Sequence, residues 1–257
     1  PQPRPPREIW PDNPVFAELQ SRFAKAHIEN PDYSGLHYMT ADEVEECWQL
    51  LRQSLHSVSY ESLAHVPGYA RWLADQDWAP SYRRHRRNLQ LIGLNDVEKR
   101  WVLKNPSHLF ALDALFAVYP DALVVQCHRP AETIMASMCS LAQQTTAGWS
   151  NTFRGATIGA DSLETWSRGL ERFNAVRAQQ NPAQFCDVDY VDLIADPLGT
   201  VAGIYARFGI DMPPESLDAI RAIDDESKRG PRAPKHEYSL ADYGLTEDQV
   251  KSRFAGL

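Results

Sequence analysis

The chain has 257 residues, 43% of them hydrophobic, and a formal net charge of −8 from 26 Lys+Arg against 34 Asp+Glu. That length allows one domain with a full core, and the acidic balance excludes general nucleic-acid binding, which needs a cationic surface along the phosphates. Cys47, Cys127, Cys139 and Cys186 show no CxxC spacing, no apolar run is long enough to span a bilayer, and the start PQPRPPREIW is no signal peptide, so a soluble cytoplasmic protein with reduced thiols is expected.

The first hundred residues read as helices. NPVFAELQSRFAKAHIEN offers Asn13 as N-cap and Pro14 at the first helical position, with Phe16, Leu19 and Phe23 on one face. TADEVEECWQLLRQSL has a capping-box pattern from Thr40 to Glu43, with Val44, Cys47, Leu50 and Leu51 at helical spacing. VPGYARWLADQ and APSYRRHRRNLQLIGL follow as two further helices. The run YRRHRRNLQ reads as a solvated helix face rather than part of a site.

From Arg100 the pattern changes. WVL and ALVVQC are short, nearly continuous apolar runs, as strands buried on both faces of a parallel sheet read, and SHLFALDALFAVY between them repeats its apolar residues at helical spacing. A strand-helix-strand crossover is right-handed and makes its strands parallel, which puts Lys104 and Arg129 together at the carboxyl edge where open α/β sheets bind ligands. A third strand is expected at QFCDVDYVDL. Helices are expected at DSLETWSRGLERFNAV, LGTVAGIYARFG and PESLDAIRAI, and a loop over residues 143–160. The last helix is announced by Thr246 and Gln249 in another capping box.

HRPAETIMAS places Arg129 at a strand terminus and Ser137 eight residues later on the next helix. Here the sequence resembles the sulfotransferases that use 3'-phosphoadenosine 5'-phosphosulfate, in particular their bacterial branch and its tyrosylprotein-sulfating relatives. The resemblance covers roughly residues 33 to 257 and is most specific from Lys104 through Ser137. It implies that Arg129 and Ser137 hold the 3'-phosphate, that Lys104 contacts the sulfuryl group, and that Tyr190, in DVDYVDLIADPLGTV, borders the adenine. PKHEYSLADYGL resembles a C-terminal segment of the bacterial branch and makes Lys235 and His236 further phosphate contacts.

The match departs from the family in two ways. Pro130 follows Arg129 where an Asp is usual, and no Gly-rich loop for the 5'-phosphosulfate occurs before Arg100. The resemblance therefore implies that the first βα unit, with its phosphosulfate loop and the Glu that serves as base, is missing from residues 1–257. Either the molecule carries residues ahead of Pro1 or it is a chain that binds nucleotide without catalysing. Sulfuryl transfer needs a cation where charge develops and a base for the acceptor proton. Lys104 fits the first need, and His108, one turn further on, is the one visible candidate for the second.

The expected fold is an α/β three-layer sandwich, a short parallel sheet flanked by helices in the P-loop-like sulfotransferase arrangement. Residues 1–99 would form a helical acceptor-side part and 100–257 the nucleotide-binding part of one domain. The expected function is sulfuryl transfer from 3'-phosphoadenosine 5'-phosphosulfate, without a metal, to a small-molecule hydroxyl or amine on a lipid, sugar or phenol, leaving adenosine 3',5'-bisphosphate. The rivals are a nucleotide-binding pseudoenzyme and a small-molecule kinase. A kinase would need a Gly-x-x-x-x-Gly-Lys loop that the sequence lacks.

Overall fold

The structure is a computed structural model and describes residues 3–29, 38–148, 150–229 and 238–257. The helices in chain order are α1 (Pro14–Glu29), α2 (Trp48–Arg52), α3 (Pro67–Ala74), α4 (Ala79–Ile92) and α5 (Leu112–Val118), followed after strand β1 (Val124–His128) by α6 (Ala131–Thr146) and α7 (Ala156–Arg177). Strand β2 (Phe185–Asp189) then leads to α8 (Tyr190–Ala195), α9 (Pro197–Arg207), α10 (Pro214–Arg229) and α11 (Glu247–Phe254). Several starts follow from local chemistry. Asp77 Oδ1 accepts from the Ala79 backbone at 2.8 Å ahead of α4, Asp196 caps α9 through Gly199 N at 2.9 Å, and Thr246 and Gln249 close the expected capping box on α11.

Two strands form the sheet among the described residues. β1 and β2 are parallel, with His128 opposite Asp189 at their carboxyl ends. α5 and α7 pack on this sheet through Leu112, Phe116, Phe173 and Phe185, with Val124 against them. A second core of Val58, Leu73, Trp78, Tyr82 and Phe110 joins the N-terminal helices to α5, and a third of Met135, Cys139, Ile158, Tyr243 and Val250 closes the C-terminal end on α6 and α7. Each large apolar side chain so buried contributes roughly 1.5–3 kcal/mol.

α7 comes close enough to its neighbours to require glycine at two places. A Cβ on Gly169 would stand 2.6 Å from the Phe110 ring, and one on Gly159 would collide with the carbonyl of Tyr243.

Three sequence expectations are corrected. WVL pairs with no strand among the described residues, with Trp101 46% and Val102 90% exposed, so it is no buried strand, and no strand-helix-strand crossover brings Lys104 to the edge that carries Arg129. TADEVEECWQLLRQSL is helical only over α2, because the Cys47 amide donates to the Lys104 carbonyl at 3.1 Å and so ties the preceding residues to another segment. SHLFALDALFAVY divides into a 3-10 turn, Pro106–Phe110, and α5.

Candidate nucleotide and sulfuryl site

The paired ends of β1 and β2 deliver Arg129 and Tyr190 side by side. Each follows its strand directly, and the Arg129 guanidinium lies over the Tyr190 ring, 4.5 Å from its centroid. Both residues are half-buried. Arg129 makes no ion pair with a described residue, so its planar fork of donors keeps its capacity for an anion while the ring fixes its plane. Ser137 sits half-buried on α6, its seventh residue, a rise of roughly 9 Å into the helix. The side chains of Lys235 and His236 belong to the segment outside the described residues.

Lys104 has a different setting. Its side chain is 71% exposed and ion-paired to Glu46, which is only 22% exposed. Asn105 Nδ2 donates to the other Glu46 oxygen at 3.4 Å, and Asn105 Oδ1 accepts from Ser107 N at 2.9 Å, capping the 3-10 turn. Ser107 Oγ in turn accepts from the Val58 amide at 3.2 Å. A carboxylate and an ammonium 58 positions apart thus meet at the surface, beside a turn that buried hydrogen bonds anchor. Sequence reasoning missed Glu46, because in the helix expected over TADEVEECWQLLRQSL it reads as one more solvated acid; the acidic run just ahead of a buried Cys was the only signal.

His108 does not join this pair. Its Nδ1 meets the Tyr82 hydroxyl at 2.7 Å, and its Nε2 is buried with no hydrogen-bond partner among the described residues. Burial, with a smaller contribution from neighbouring His85, lowers its pKa to about 3. A ring so weakly basic, facing the core, is a poor base for an acceptor. His85, bonded through Nδ1 to Tyr119 at 2.8 Å, is buried too, with a pKa lowered to about 4.

These two histidines fix an acid response. The unfolded rings bind protons near the ordinary 6.5 and the folded ones only near 3 to 4, so the unfolded state takes up more protons as the pH falls below 6.5. Stability is therefore full above pH 6.5 and declines on acidification, by roughly 1.4 kcal/mol per pH unit for each ring. Urea denaturation at pH 7 and pH 5 checks this. The protein loses several kcal/mol between the two, and a His85→Gln, His108→Gln variant loses much less; an equal loss in both would contradict the assignment.

A cavity of about 90 Å³ lies between α3, α7 and the 3-10 turn, lined by Glu61, Leu73, Trp78, Phe110, Arg168 and Arg172. It is well below the ~300 Å³ that small-molecule sites usually offer.

The fold is α/β, a short parallel sheet flanked by helices, with Arg129 and Tyr190 together at its carboxyl ends. The profile of the Sulfotransferase family matches residues 1–214, and the chain belongs to that family. It is 69% identical to the sulfotransferase STF1 of Mycobacterium tuberculosis H37Rv, whose crystal structure superposes with a TM-score of 0.89 over 100% of this chain and 67% of that one. STF9 of Mycobacterium avium, at 24% identity and a TM-score of 0.85 over 98% of this chain and 65% of that one, shares the fold. Among curated proteins, the omega-hydroxy-beta-dihydromenaquinone-9 sulfotransferases Stf3 of Mycobacterium bovis and Mycobacterium tuberculosis are 25% identical over 190 residues. That match takes in 71% of this chain and 48% of theirs, so the chain spans about half the length of the curated relatives it matches.

Proposed function

We propose that the chain transfers a sulfuryl group from 3'-phosphoadenosine 5'-phosphosulfate to the hydroxyl of a small apolar acceptor of the lipid class. Arg129 and Ser137 bind the 3'-phosphate, with Lys235 and His236 as further phosphate contacts, and Tyr190 borders the adenine. Lys104 stabilises the charge that develops on the sulfuryl and bridging oxygens. As the acceptor oxygen bonds to sulfur and the bond from sulfur to the 5'-phosphate oxygen breaks, Glu46 takes the hydroxyl proton. Glu46 replaces both His108 and a base outside these residues in this reading. Residues 1–99 cover the acceptor side and 100–257 the nucleotide side. The lipid class is favoured over sugars and phenols by the name of the curated relatives, which act on a hydroxylated dihydromenaquinone.

The observation that carries the reading is Arg129, stacked on Tyr190 at the ends of two parallel strands with no ion-pair partner among the described residues. A thermal-shift titration tests it. Adenosine 3',5'-bisphosphate at about 100 times its Kd adds about 2.7 kcal/mol and raises Tm by roughly 5–10 °C, whereas 5'-AMP gives little at the same concentration. Equal shifts, or none, contradict the 3'-phosphate site. A selective shift without turnover of the phosphosulfate on any hydroxylated lipid would favour the pseudoenzyme.

A further inference from the structure

α4 divides its charges from its packing. Tyr82, His85 and Leu89 face the core, while Arg83, Arg84, Arg86 and Arg87 are all exposed. At about 100° per residue these four arginines fill an arc of roughly 160°, and Leu91, 39% exposed, falls inside it. Arg83 with Arg86 and Arg87, and Arg84 with Arg87, stand three or four residues apart, where like charges destabilise a helix. The folded chain does nothing to relieve this. None of the four forms an ion pair with a described residue, although the chain has 34 acidic residues; their one hydrogen bond among the described residues is from Arg86 to the Val118 carbonyl at 3.4 Å. Some other surface arginines are paired, as Arg172 is with Asp113, Arg221 with Asp218 and Arg253 with Glu171, while Arg22, Arg71 and Arg100, scattered singly, are not paired with a described residue.

Apolar side chains are exposed next to this arc, among charged ones that include Glu98 and the ion-paired Asp96. Just past the end of α4, Leu94 is 58% and Val97 76% exposed, and half-exposed Trp101 lays its ring against Gly93. A guanidinium arc bordered by aliphatic side chains and a Trp suits the head-group layer of a bilayer, where phosphates satisfy the arginines and the apolar groups enter the acyl boundary. Phosphodiester chains would satisfy only the arginines and leave Leu94 and Val97 in water.

We propose that this face, from Arg83 to Trp101, docks the protein on a bilayer rich in anionic phospholipid. Among the described residues no helix is long and apolar enough to cross a membrane.

Vesicle flotation tests the proposal. The purified chain is mixed with vesicles of phosphatidylcholine alone or with one-third phosphatidylglycerol, at low and at high salt. Partitioning onto the anionic vesicles at low salt should exceed that onto the neutral ones by about 100-fold and fall with salt. The variant R83Q/R84Q/R86Q/R87Q, which gives up one tertiary hydrogen bond, from Arg86 to the Val118 carbonyl, should lose about 100-fold, and L94S/V97S about tenfold. Unchanged thermal midpoints show that both variants are folded. The absence of flotation, equal flotation on neutral vesicles, or arginine variants that float like the parent would overturn the proposal. So would binding to duplex DNA or an acidic polypeptide without binding to vesicles.

Discussion

Replacing Glu46 by Gln lowers kcat for lipid sulfation by about 10²–10⁴ and leaves the affinity for adenosine 3',5'-bisphosphate within a few-fold of the parent. The size follows from the role proposed for the carboxylate, since proton transfer by a placed side chain is worth that much and an amide cannot accept the proton. Nucleotide affinity separates this from a structural role, since Glu46 is also the ion-pair partner of Lys104. Lys104→Ala lowers kcat by about 10²–10³, because it removes the cation and leaves the base. A Gln variant with parental kcat and tighter nucleotide binding would make Glu46 only the counter-ion of Lys104.

The second large effect concerns binding. Arg129→Ala should weaken adenosine 3',5'-bisphosphate by roughly 1.5–3 kcal/mol, about 10- to 150-fold, because it removes a charge-assisted contact to the 3'-phosphate. Binding of 5'-AMP should change far less. Calorimetric titration of both nucleotides against both proteins gives the four constants needed, and equal losses for the two ligands would move Arg129 away from the 3'-phosphate. Arg129→Lys should recover only part of the affinity, since an ammonium offers neither the planar fork nor the stack on Tyr190.

What could be read from the sequence depended on whether a residue's neighbours were local. Arg129 was legible because an apolar run ending in a cation marks the end of a strand, whereas Tyr190 was expected inside a strand and in fact opens the helix that follows β2, which is what sets it beside Arg129. WVL was misread because an apolar run shows that side chains favour burial but cannot show that a strand stands beside it to pair with. His108 was misread because its position after Lys104 suggested the site, while its actual partner is Tyr82, 26 residues earlier on another helix. Glu46 was invisible for the same reason in reverse: its meaning comes from Lys104 and Asn105, more than fifty residues away.

The two glycines of α7 carry one more consequence. Gly159 meets the backbone at Tyr243 and Gly169 meets the Phe110 ring, ten residues and roughly 15 Å apart on the same 22-residue helix. Two such contacts key the helix like a shaft: it can neither turn nor slide without driving a ring or a carbonyl into its own backbone. The turn that ends at Phe110 begins two residues after Lys104, and the stretch around Tyr243 covers α6, on which Ser137 lies. On the function proposed above, α7 then sets the spacing between Lys104 and Ser137, and a methyl group added at either glycine would detune that spacing from a distance.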